Sequence, residues 1–261
     1  MRTFYLTLLS KSDRYKDVWI TEKDPDEIID RSERLKFIKH QLIGSDEVYR
    51  PSPIEVATLS FYKNNISHIF MLYSLICESV RYVEKISKAD MYALIQMVYP
   101  IISREYFLQS SQIEEREIKN ALKTLIEQGV LHSKESETYS KPDNNGGHFN
   151  KYLSLCNICE PSLKRFYITM SVLWKKKNIS KDKLQADCDL IANELERLEG
   201  WPYPEFSDKT KFQNFLSLLI TERYVKEDKE IYSASKVTLK AQENYTAFFD
   251  RKFLELVRGI N

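Results

Sequence analysis

Apolar residues recur three and four positions apart along most of this chain, a spacing that predicts helices. Asp24-Pro25-Asp26-Glu27 opens one of them: an acceptor cap, a proline in the first turn and acids against the helix dipole. Ile28, Leu35 and Ile38 share one side and carry this helix to about Lys39. Ser52-Pro53-Ile54-Glu55 repeats the logic as a capping box and opens a longer helix. On that helix Phe61, Asn65, His68, Leu72 and Leu75 fall on one face, so an amide and an imidazole interrupt an apolar stripe. Such groups, once buried, cost about 1–3 kcal/mol each unless their hydrogen bonds are met. Phe4, Leu8 and Leu9 are helical in spacing, and a last helix is predicted from Val237 to about Val257, with Leu239, Tyr245, Phe248, Phe249, Phe253 and Leu256 on one broad side.

The pattern also repeats. Ile86-Ser87-Lys88 recurs as Ile179-Ser180-Lys181, 93 positions on, and Asn120 recurs as Asn214, 94 positions on. In that register Ile118, Leu122, Leu125 and Ile126 match Phe212, Leu216, Leu219 and Ile220. Each of these helices leads into a short apolar step, a charged tip and a tyrosine-bearing return. Helix, helix, helix and hairpin is the order of a winged helix. The expected fold is therefore mainly α: a helical domain with two winged-helix-like units, each ending in a short β-hairpin. The expected boundaries are an N-terminal helical stub and linker over 1–50, a first unit over 51–145 and a second over 146–261 that includes the C-terminal helix. Asp143-Asn144-Asn145-Gly146-Gly147, which holds the chain's one glycine pair, reads as a mobile connector between the units.

Composition narrows the function classes. Thirty-nine basic residues against 38 acidic leave no global field to recruit nucleic acid or an anionic bilayer. Six glycines and eight prolines in 261 residues agree with a helical protein of few tight turns. Cys77, Cys156, Cys159 and Cys188 show no framework spacing, so reduced thiols are expected, and a lone Cys-x-x-Cys lacks the second pair that a zinc site needs. The most apolar run, Ile66 to Cys77, is too short to span a bilayer.

One set of segments is recognisable. Tyr62-Lys63-Asn64-Asn65, then His68 and Leu72-Tyr73-Ser74-Leu75-Ile76, resembles a "YRNN…H…LPSL" signature. Val98-Tyr99-Pro100 with Glu105-Tyr106-Phe107-Leu108 is similar to "LYP…AELFL", and Leu163-Lys164-Arg165-Phe166-Tyr167-Ile168 to "LxRYYI". Pro204-Glu205-Phe206-Ser207-Asp208-Lys209, with Phe212 beyond, is similar to "APEFFDKxxF". Together and in this order they resemble the bacterial membrane-bound glycerol-3-phosphate acyltransferases, from about residue 4 to beyond residue 225.

That resemblance implies an enzyme moving an acyl group from acyl-CoA or acyl carrier protein to the first hydroxyl of glycerol 3-phosphate, which opens phospholipid synthesis. The family's chemistry rests on a His-x-x-x-x-Asp pair, with the histidine as base, and on an arginine-bearing G-x-R-S-R-type motif for the phosphate. Five residues beyond His40, His68, His132 and His148 stand Ser45, Tyr73, Glu137 and Leu153, and no G-x-R-S-R occurs. The expectation is thus a non-catalytic C-terminal accessory domain that positions, stabilises or regulates the acyltransferase. No catalytic residue, metal ligand or cofactor is assigned. The expected partner is an acyltransferase catalytic domain or subunit, with peripheral contact at the cytoplasmic face of the inner membrane when partnered and a cytoplasmic location otherwise. Nucleic acid is not expected. The rivals are a tandem winged-helix module binding nucleic acid or protein, and a non-functional fragment of a truncated gene.

The residues carrying the resemblance are the candidate site: Tyr62, Lys63, Asn64, Asn65, His68, Glu105, Arg165, Glu205 and Asp208. Asn64, Asn65 and His68 lie within one helical turn and form either an internally satisfied network or a knot orienting the helix against a catalytic domain. Lys63 stands where the family has arginine, which weakens any bidentate grip on a carboxylate. Glu105 and Glu205 follow Tyr-Pro pairs; capping or an arginine partner, Arg104 or Arg165, is the expectation over acid–base work. Ser207 replaces an aromatic residue of the family pattern. Lys175-Lys176-Lys177, with Lys181 and Lys183, reads as a solvated helix end favoured by the dipole.

Overall fold

The computed structural model describes residues 2–12, 15, 21–44, 46–51, 55–108, 110–134, 137–199, 206 and 208–260. Its chain packs as two compact units, Met1–Phe70 and Met71–Asn261. The architecture is mainly helical with short antiparallel hairpins. Among the described residues no helix is long and apolar enough to cross a membrane.

In the first unit, α1 (Arg2–Ser10) buries Phe4, Leu8 and Leu9. The Asp24 side chain caps α2 (Pro25–Arg34) by accepting from the Asp26 N–H at 2.9 Å, as the sequence predicts. The helix stops five residues earlier than expected. Lys36 takes a left-handed φ of 62°, and its N–H and that of Phe37 turn back to the Glu33 and Ser32 carbonyls at 2.8 and 2.9 Å, a Schellman closure. Ile38 is therefore not on the helix but opens β1 (Ile38–Ile43), which pairs antiparallel with β2 (Asp46–Pro51) from Ile38↔Pro51 to Ile43↔Asp46. Gly44, at φ 65°, makes the turn. Tyr5 meets Phe70 of α3 (Val56–Glu78) edge-on at 4.9 Å. The predicted capping box at Ser52-Pro53-Ile54 lies outside the described residues.

The second unit contains one order of elements twice. First come the end of α3 from Met71, β3 (Ile86–Ser87), α4 (Lys88–Glu105), α5 (Glu115–Glu127), β4 (His132–Lys134) and β5 (Thr138–Ser140). Then come α6 (Gly147–Lys176), β6 (Ile179–Ser180), α7 (Lys181–Glu199), α8 (Lys209–Thr221), β7 (Val225–Asp228) and β8 (Ile231–Ala234). Each half closes a three-stranded sheet with its last strand in the middle, β3-β5-β4 and β6-β8-β7. That is winged-helix topology. The recurrent Ile-Ser-Lys is the short first strand and the start of the helix after it: Ile86 pairs with Tyr139 and Ile179 with Tyr232, each 53 residues on. Burial follows the same register. Met91, Ile95, Val98, Tyr99 and Ile102 on α4 are buried, as are Leu184, Cys188, Ile191, Ala192 and Leu195 on α7. Both recognition-position helices end on a left-handed residue, Gly129 (φ 67°) and Arg223 (φ 62°). Glycine suits the first, because a Cβ there would stand 2.7 Å from the His148 ring, which would have to turn aside.

The last predicted helix is instead three short ones joined by a turn of 3-10 helix at Thr246–Phe248: α9 (Lys236–Lys240), α10 (Gln242–Tyr245) and α11 (Arg251–Ile260). Ser235 caps the first and Asp250 accepts from the Phe253 N–H at 2.8 Å at the last. Breaking the helix lets Tyr245, Phe248, Phe249 and Phe253 all reach the core beside Phe166, Tyr167 and Trp174, while Val237 and Leu239 stay exposed.

Candidate functional site

Two of the recognised segments meet where α4 ends against the middle of α6. Glu105, the last residue of α4, forms an ion pair with Arg165 of α6, both largely buried. Ser162, one turn before Arg165, donates to Glu105 Oε1 at 2.9 Å, and its Oγ lies 2.9 Å from Tyr106 Oη. The guanidinium also stacks over the Phe215 ring of α8, 4.9 Å from its centre. The neighbouring Arg104 pairs instead with Glu222 at 2.9 Å. The aromatic residue of the same segment, Phe107, is 92% exposed at a left-handed φ of 53°. It stands at the rim of a cleft of about 310 Å³ that Arg104, Glu105, Arg165, Lys211 and Asn214 also line. Charge-assisted pairs of this kind hold geometry, and this one ties both winged-helix halves together across α4, α6 and α8.

Asp208, from the fourth segment, caps α8 by accepting from the Thr210 and Lys211 N–H groups at 2.9 and 3.1 Å. Those backbone bonds hold its carboxyl below the usual aspartate range. Glu205 lies outside the described residues, and so do the side chains of Tyr62, Lys63, Asn64 and Asn65, whose backbone runs in α3. His68, on the same helix, is half-buried with its ring 5.5 Å from that of Tyr15, edge to face.

A second polar cluster escaped the sequence reading. Glu78, at the end of α3 and 1% exposed, meets Arg81 at 3.2 Å, and Arg81 reaches Glu160 of α6 at 2.9 Å. Lys164 closes on the other oxygen of Glu160 at 3.2 Å. Burial pushes the Glu78 carboxyl up to about 8 against the pull of Arg81. Burial raises Glu160 too, but Lys164 and Arg81 outweigh it and hold that carboxyl below its ordinary value. Around the cluster, Ser74 Oγ donates to the Leu155 carbonyl at 2.6 Å and accepts from the Cys159 N–H, while Tyr152 donates to the Cys77 carbonyl. The available signal was an acid and a base three apart after a wholly apolar run, Leu75-Ile76-Cys77-Glu78-Ser79-Val80-Arg81. Cys77, Cys156 and Cys159 are free and buried, and burial raises their thiols well above the ordinary range, away from nucleophilic chemistry.

Replacing Arg165 by methionine is expected to lower unfolding free energy by about 3 kcal/mol, because Glu105 keeps its burial and loses its cation. Adding Glu105→Gln should recover part of that loss, since the two sites are coupled. Denaturant midpoints for the two singles and the double decide it; additive losses would rule the clamp out.

The family model described as "Glycerol-3-phosphate acyltransferase C-terminal region" matches residues 2–228. A glycerol-3-phosphate acyltransferase of Alteromonas mediterranea is 30% identical over 181 residues, which is 69% of this chain and 22% of that protein. One from Pseudomonas putida is 27% identical over 228 residues, 86% of this chain and 27% of that protein. One from Pseudomonas fluorescens is 26% identical over 219 residues, 83% of this chain and 26% of that protein. The chain thus spans about a quarter of the length of the curated relatives it matches. Both the motif segments and the match along nearly the whole fold lead to one assignment: the chain belongs to the glycerol-3-phosphate acyltransferase C-terminal region family.

Proposed function

We propose that this chain is the accessory part of a glycerol-3-phosphate 1-O-acyltransferase, serving to position, stabilise or regulate the portion that transfers the acyl group. The observation that carries the reading is how the family-matching charges are used. Glu105 and Arg165 are spent on each other across α4 and α6, and Asp208 on a helix start, which suits a scaffold better than a reaction centre. The four histidines support it: His40 stacks on Tyr49, His68 faces Tyr15, His132 is exposed on a strand, and His148 sits at the Gln128 carbonyl. The partner in this proposal is an acyltransferase catalytic domain or subunit, and any contact with the cytoplasmic face of the inner membrane is peripheral and made alongside it. Nucleic acid is left out, because α8, the recognition-position helix of the second half, lies against α4 through the Arg104–Glu222 pair and a 2.8 Å bond from Tyr224 Oη to the Met97 carbonyl, and α5, that of the first half, sets Glu115, Glu117 and Glu127 against Arg116, Lys119 and Lys123.

Co-expression with the catalytic portion of one of the Pseudomonas relatives tests this. The two should co-purify, and acyl transfer to glycerol 3-phosphate should be faster or longer-lived than with the catalytic portion alone. Turnover by this chain on its own, or a failure both to bind and to change the partner's activity, would overturn the proposal.

A further inference from the structure

Phe107 stands where the backbone asks for glycine. It follows α4 with a left-handed φ of 53°, its N–H turned back to the Arg104 carbonyl at 3.4 Å and that of Leu108 to the Ser103 carbonyl at 2.7 Å. Helices that close this way do so most often on glycine, because a Cβ crowds the backbone at positive φ. Among the described residues the other six non-glycine residues at positive φ are all charged. The second half supplies a comparison: 93 positions on, just after α7, the sequence has Gly200. Ending the helix therefore explains the conformation of Phe107 and not its side chain. Packing within the chain does not explain it either, since the residue is 92% exposed.

A bulky apolar side chain held in water on a strained backbone points to a contact beyond the chain. Its surroundings give that contact a chemistry. Phe107 lines the cleft of about 310 Å³ together with Phe215, Leu218 and the Glu105–Arg165 pair. The cations beside it are the more exposed members of their pairs: Arg104 is 59% exposed against 15% for Glu222, and Lys211 64% against 42% for Asp208. The surface offered is an aromatic ring flanked by two cations, which fits an apolar pocket edged by carboxylates. Three of the four recognised segments also reach this one cleft, through Glu105 and Phe107, Arg165, and Phe212. In the relatives those segments belong to a C-terminal region joined to about three quarters of the protein besides.

We propose that Phe107 is the anchor by which this chain docks on the acyltransferase catalytic portion, its ring entering an apolar pocket there whose acidic rim meets Arg104 and Lys211. The inference rests on the accessory reading above and adds the place of contact.

Co-expression with the catalytic portion of a Pseudomonas relative is repeated with Phe107→Gly, with Lys211→Glu and with Leu190→Ser, an exposed residue that does not line the cleft. Phe107→Gly should raise the chain's own denaturant midpoint, by relieving the left-handed backbone, and should cut co-purification about tenfold or more. Lys211→Glu should weaken capture in low salt. Leu190→Ser should leave capture unchanged. Equal capture of the parent chain and Phe107→Gly would overturn the proposal and leave the accessory reading standing, whereas a parent chain that is not captured takes both down. A lowered midpoint for Phe107→Gly would overturn it by showing that the ring serves the fold, and capture indifferent to Lys211→Glu would overturn the acidic rim. Should Phe107→Gly keep capture but lose binding to vesicles of phosphatidylglycerol and phosphatidylethanolamine, or lose self-association in sedimentation velocity, the occupant is a membrane or a second copy and the proposal falls.

Discussion

Arg81→Met should destabilise the fold by about 3–5 kcal/mol, the cost of removing one partner from a buried charge cluster. Among the described residues Arg81 is the one guanidinium that touches both Glu78 and Glu160, and its own side chain is 19% exposed. Without it, the Glu160 anion is left with Lys164 alone, while Glu78, whose carboxyl burial keeps largely protonated at neutral pH, loses its hydrogen-bond partner. Arg81→Lys should recover only part of the loss, because an ammonium cannot reach two carboxylates in the forked geometry of a guanidinium. The energy is that of a helix junction: α3 and α6 cross here, and the neighbouring Ser74–Leu155 and Tyr152–Cys77 bonds lock the same crossing. Urea titrations at neutral pH read the effect directly. A loss below about 1 kcal/mol would mean that the cluster is solvated like an ordinary surface pair.

That junction shows where the sequence was legible and where it was not. The helix start at Asp24 was readable because a cap is local: its side chain accepts from the N–H group two residues on. The duplication was readable because both halves must bury the same faces, so Ile118 and Phe212 or Leu125 and Leu219 keep their spacing. The Glu105–Arg165 pairing was anticipated among the alternatives, yet the serine bridging them was not, since Ser162 is 57 residues from Glu105 and nothing local marks it. The β1–β2 ribbon was missed for another reason. Ile38-Lys39-His40-Gln41-Leu42-Ile43 is exposed along almost all its length, so no core selects an alternating pattern, and the element exists by pairing alone. The C-terminal aromatics suggested one continuous helix because a chain broken to wrap a core and a helix lying on it share the same local spacing; only the exposure of Val237 and Leu239 separates the two.

Glu78 should make stability fall as pH rises across the neutral range. Its carboxyl titrates at about 8 in the folded chain against an ordinary value of 4.5, because burial disfavours the anion more than Arg81 favours it. Below pH 4.5 the group is protonated in both folded and unfolded chains, and its stabilising contribution is complete. Between 4.5 and 8 the folded chain keeps a proton that the unfolded chain has released, so stability declines with each step upward. At about 1.4 kcal/mol per pH unit the whole window amounts to about 5 kcal/mol, and above 8 no more is lost. Glu160 and Asp208, whose carboxyls are held low, act oppositely and only at acid pH, losing their contributions as pH falls through the carboxylate range. Glu78→Gln keeps the hydrogen-bonding shape without the titration. Its unfolding free energy should therefore be nearly level from pH 5 to 8, matching the parent chain at the acid end and exceeding it by several kcal/mol at pH 8. Equal slopes for parent and variant across that window would show that the Glu78 carboxyl is ionised in the folded chain, and that Arg81 rather than burial decides its charge.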